Sequence, residues 1–149
     1  MKGFFVLIGI LALAISGCQA KAPVQPTKTP ISVNQTCALF FSNSGLCAEL
    51  TWIEKPQGPT KATFEIRFFQ SSDPQQLTTS INYNVNVEFL MPSMGHGLGS
   101  RPFTMTETSP GLFTVTDVYF SMPGDWEITI LLISNEQQIV DQSTYAFIL

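Results

Sequence analysis

The chain has 149 residues, enough for one domain with a buried core. Hydrophobic residues make up 44% and charged ones only 12%, with a formal net charge of −4. So few cations argue against a nucleic-acid binder and leave no basic patch for anionic headgroups.

Residues 1–17 have the layout of a signal peptide. Lys2 supplies the positive end, and 4–15 is an apolar run too short to span a bilayer. The run ends in Ile15-Ser16-Gly17-Cys18, an aliphatic residue and two small ones before a cysteine. This resembles a bacterial lipobox; the alternative is an ordinary signal peptide with a chance cysteine. On the lipobox reading the leader is removed and Cys18 becomes the acylated first residue. Each methylene its chains bury adds about 0.8 kcal/mol of membrane attachment. Gln19 follows, with no aspartate, which resembles the outer-membrane default, facing the periplasm.

Residues 18–35 hold Pro23, Pro26 and Pro30 among small polar residues, and read as an extended tether. With Cys18 lipidated, Cys37 and Cys47 remain as an even pair in an oxidising compartment. A disulfide is expected, worth about 2–4 kcal/mol. A redox or metal pair is the alternative, but the spacing does not match Cys-x-x-Cys.

From residue 36 to 149 the pattern is β. Leu46, Ala48, Leu50 and Trp52 alternate with polar neighbours, as a half-buried strand does. Lys55-Pro56-Gln57-Gly58-Pro59 breaks the run. Phe64, Ile66 and Phe68 make the next strand, and Asp73-Pro74 marks a loop. Val85, Val87 and Phe89 alternate inward, and Met91 continues their phase. A Met/His turn follows, then Phe103 and Met105. Ser109-Pro110-Gly111 signals a type II turn. Residues 112–120 form a strand with a bulge or bend near Asp117. Met122-Pro123-Gly124-Asp125 repeats the Pro-Gly turn. Trp126, Ile128, Ile130 and Leu132 form the strongest strand, and a last one ends at Tyr145 and Phe147. About seven strands spaced by turn signals predict an all-β, immunoglobulin-like antiparallel β-sandwich, with a small barrel as the alternative.

The chemistry concentrates in Met91-Pro92-Ser93-Met94-Gly95-His96-Gly97, which holds the only histidine. Met105 and Met122 follow soon after. Thioethers and one imidazole at short spacing suit Cu(I), which prefers soft ligands. Met94 and His96, two apart, point the same way in an extended segment. Met105 would reach back from a paired strand. Met122 would contribute only if its turn shares an end of the sandwich with the Met/His turn. Met91 fits either a ligand or a core position. The plainer alternative is a turn packed on methionine, which fills irregular cores. Zinc would need more His or Cys ligands. No Gly-x-Ser-x-Gly or His-Glu-x-x-His motif is present, and the pattern pairs no carboxylates, so catalysis is not expected.

Three ordered motifs carry a family resemblance over roughly residues 60–134. They are 89–97 with its Met-Pro-x-Met-x-His turn, Gly111-Leu112-Phe113, and Phe120-Ser121-Met122-Pro123-Gly124-Asp125-Trp126-Glu127-Ile128. Together they resemble the YtkA-like/FixH-like family. The resemblance implies a small extracytoplasmic immunoglobulin-like sandwich, associated with copper handling or with assembly of haem-copper oxidases. It carries Met91, Met94 and His96 over by position, and Met122 as part of a Met-x-Gly-x-Trp signature. The 37–47 segment lies outside that resemblance. FixH-like proteins are similar to membrane-anchored helices bearing a periplasmic domain, whereas a lipid anchor is expected here. The resulting expectation is a lipid-anchored copper carrier or buffer in the bacterial envelope. The competing one is a metal-free binding or assembly module for another envelope or respiratory protein.

Overall fold

Period-two alternation decides which face of each strand is buried. In Ala62–Gln70, Phe64, Ile66 and Phe68 are sealed from solvent while Glu65 and Arg67 stay half-exposed. In Asp125–Ile133, Trp126, Ile128, Ile130 and Leu132 are all fully buried. The computed structural model describes residues 37–58, 60–73 and 75–149. The expected leader, Cys18 and tether lie outside them.

The strands are β1 (Leu39–Phe41), β2 (Leu46–Glu54), β3 (Ala62–Gln70), β4 (Asn84–Leu90), β5 (Thr104–Ser109), β6 (Leu112–Val118), β7 (Asp125–Ile133) and β8 (Ile139–Ile148). The strand beyond the expected seven is β1. Its three residues are too few to show periodicity, and it exists by pairing with Leu46, Cys47 and Ala48 of β2. One sheet runs β1-β2-β3-β6-β5 and the other β4-β7-β8, with every pair antiparallel. Apart from β1, this is the arrangement of a constant-type immunoglobulin sandwich, four strands facing three. The Cys37–Cys47 disulfide forms, with an S–S distance of 2.01 Å. It ties the approach to β1 onto β2 rather than bridging the two sheets.

Aromatic rings fill the space between the sheets. Phe120 lies 5.0 Å from Trp126, 5.3 Å from Phe147 and 5.8 Å from Phe89, centroid to centroid, each edge to face. Such pairs add roughly 0.5–1.5 kcal/mol beyond their area burial. The expected bend falls at Asp117, whose φ is +63°, opposite a register shift between Ala62 and Phe64 of β3. Lys61 pairs with the Asp117 carboxylate there. The Ser109-Pro110-Gly111 turn also forms, with Gly111 at φ +74° as a type II turn requires.

The connections sort to two ends. Gly45 accepts from Ser71, Asn43 bonds Val140, and Gly111 lies against Thr79, so four connections cluster at one end. The opposite end carries the β4–β5 and β6–β7 connections, joined by Ser93 and Asp125. The expected ligands Met94, His96 and Met122 all sit on these two connections.

Candidate metal centre

The 91–97 turn closes on the backbone of Met91. The Met91 carbonyl accepts from the amides of Met94 (3.1 Å) and Gly95 (2.8 Å), and the Met91 amide donates to His96 O at 2.8 Å. Met91 and His96 thus form a small antiparallel bridge that extends β4 by one pair. Gly95 turns the chain with φ +66°. Gly97 has no room for a side chain, because a Cβ there would lie 2.5 Å from the Phe89 carbonyl oxygen.

The expected ligands fare differently. Met94 projects outward, 60% exposed. His96 is half-buried, its ring 6.2 Å from Trp126 in an edge contact. Its Nδ1 stands 2.9 Å from the Gly97 carbonyl oxygen, which can only accept, so Nδ1 carries the proton. In the neutral ring that leaves the Nε2 lone pair free for a metal. Met122 is half-buried in the β6–β7 connection, its carbonyl accepting from Trp126 Nε1 at 3.0 Å. A cavity of about 370 Å³, lined by Gly58, Phe120, Ser121, Met122, Pro123 and Leu149, opens beside it.

Met91 is core, 5% exposed, with its methyl group packed on Gly124. Met105 lies half-buried on β5, opposite Val115 of β6. The expectation that its strand pairs with the one leading into the turn is not met. β4 pairs with β7, so β4 and β5 lie in different sheets. The physical reason is the long 91–103 connection, which crosses between sheets instead of closing a hairpin.

The two Met-bearing turns do share an end. The Ser93 amide donates to Asp125 Oδ2 at 3.1 Å, and the Met91 methyl rests on Gly124. Ser93, chiefly through its side chain, holds the Asp125 carboxyl below the usual carboxylate range. Gly124 in turn exchanges backbone hydrogen bonds with Leu149, at 3.1 and 2.9 Å. Sequence reasoning did not single out Asp125 or the platform beneath it. Its partner is 32 residues away, and no local pattern marks it. Trp126 was visible as the end of the Met-x-Gly-x-Trp motif, but not as the group that holds Met122 and packs on His96.

Among the described residues, no three His, Cys, Asp or Glu side chains group as a conventional metal site. A site at this end would draw on thioethers. The family model described as YtkA-like matches residues 46–131. The chain belongs to the YtkA-like family. The match begins earlier than the motifs suggested and takes in β2 and Cys47, while Cys37 stays outside it. β2 belongs there on physical grounds, because it pairs with β3 along almost its whole length. No curated protein matches the chain, and no solved structure does.

Proposed function

We propose that this YtkA-like protein is a lipid-anchored extracytoplasmic copper carrier or buffer that binds without turnover. In this reading Cu(I) is held by the Met94 thioether and His96 Nε2, with Met122 as the second sulfur. Soft thioether and imidazole donors suit that ion and accept its low coordination number. The observation that carries the reading is the shared end. The exposed Met94, a histidine with its Nδ1 proton committed elsewhere, and Met122 sit on two connections joined through Asp125. The core position of Met91 and the other-sheet position of Met105 argue against those two as ligands.

Titration of the purified protein with Cu(I) against a chromophoric chelator tests this. The Met94→Ala/His96→Ala double variant is expected to lose nearly all affinity, and Met122→Ala at least about tenfold, while all fold normally. Equal affinity in the wild type and the double variant would remove the site assignment.

A metal-free assembly role draws on a separate observation. Ile53 and Ile148, 57% and 79% exposed at the ends of β2 and β8, are large apolar side chains left open to solvent, as a protein partner would cover. Recovery of the same envelope protein with and without copper chelation would favour that role.

A further inference from the structure

The 91–97 turn spends its backbone groups on itself. Met91 takes the amides of Met94 and Gly95 and gives its own to His96. The Ser93 amide is the donor that leaves the turn, and it goes to Asp125 Oδ2. Among the described residues, Ser93 and Asp125 are the polar pair that ties the Met94–His96 turn to the Met122 side, through the Ser93 amide and, beside it, the Ser93 side chain. The other contacts are apolar or edge contacts, Met91 on Gly124 and His96 on Trp126. Apolar contacts are non-directional and set no register between the turns.

Asp125 is suited to fix that register because its own backbone is immobilised. It opens β7 opposite Ile148 of β8, and the preceding Gly124 is bonded twice to Leu149. On its other side the Trp126 indole holds the Met122 carbonyl. The β4–β7 ladder sets the register as far as Leu90 and Glu127, and beyond it the Asp125 carboxylate adds a directional tie to the tip of the Met/His turn.

We infer that Asp125 is a positioning residue for the metal centre. Its carboxylate holds the Met94–His96 turn in register with Met122 and is not itself a ligand. The inference rests on the copper reading for what is positioned, but not for the positioning. Removing such a support typically costs 10–100-fold in metal affinity, because the ligand set is no longer preorganised.

The test uses Asp125→Ala and Asp125→Asn in the full protein, with amide hydrogen exchange of the metal-free form and Cu(I) competition titration. Asp125→Asn keeps an acceptor oxygen and loses the charge. For Asp125→Ala we expect faster exchange at the Ser93 amide, about tenfold weaker Cu(I) binding, and little change in the global unfolding midpoint. For Asp125→Asn we expect near-wild-type exchange and affinity. Unchanged Ser93 exchange in Asp125→Ala overturns the inference. So does a loss of affinity in Asp125→Asn as large as in Asp125→Ala, which would make the carboxylate a ligand. If exchange responds as expected but the wild type binds no Cu(I), the positioning of the turn stands and the copper reading falls.

Discussion

Met91 and Met94 stand three positions apart in one turn and have opposite surroundings. Met91 follows the inward phase of Val87 and Phe89, and its methyl group meets a glycine that leaves room for it. Met94 sits at the tip, where the chain has left the strand. The two should separate cleanly on substitution. Met91→Ala is expected to cost about 2–5 kcal/mol of stability, the range for truncating a buried methionine, as read by urea denaturation. Met94→Ala, a surface change, should stay within about 0.5 kcal/mol. Met91 could be assigned to the core from alternation alone. The role of Gly124 in making space for it could not, because the two are distant in sequence and the contact exists only when both turns are in place.

At the scale of elements, alternation and turn residues located nearly every strand. The Ser109-Pro110-Gly111 turn, the bend at Asp117 and the four inward residues of β7 were legible, whereas the second Pro-Gly pair makes a bend with Gly124 at φ +142° rather than a repeat of the type II turn, because Gly124 pairs with Leu149. The short β1 was not legible, and its attachment depends on groups far away in sequence. Asp141 on β8 is buried, and its Oδ2 accepts from the amides of Asn43 and Ser44, both at 2.8 Å, in the β1–β2 turn. The disulfide ties Cys37 to Cys47 just beside this turn. Hydrogen bonds to a charged group contribute about 1.5–3 kcal/mol each, and removal also leaves amides without a partner. Asp141→Ala is therefore expected to destabilise by about 3 kcal/mol, read from the denaturation midpoint. Amide exchange should quicken first at residues 39–45, while Cu(I) affinity at the opposite end is unchanged. A loss of affinity matching the loss of stability would mean the two ends are not independent.

For the whole molecule, the compartment bears on function as much as the fold does. A sandwich scaffold hosts many roles, so its architecture alone does not choose between a copper carrier and an assembly module. The proposed anchor has its own test. Cys18→Ser should abolish incorporation of a labelled fatty acid and move the protein out of the membrane fraction, with the folded domain and its Cu(I) affinity intact. Retention of label in Cys18→Ser would exclude acylation at that residue. Among the described residues no helix is long and apolar enough to cross a membrane.

The Met/His turn, the Met-x-Gly-x-Trp motif, the strand phases and the even cysteine pair were determined by the sequence by itself. Each depends on neighbours a few residues apart, where alternation, proline and glycine act directly on the backbone. Which methionine-bearing segments share an end of the sandwich with the imidazole was decided only by the tertiary structure. The 91–103 connection carries β5, and Met105 with it, into the other sheet, and antiparallel pairing of β7 with β4 and β8 brings the Met122 turn to the Met/His end. Sheet assignment and the Ser93–Asp125 bond are long-range outcomes of core packing, and local periodicity holds no record of them.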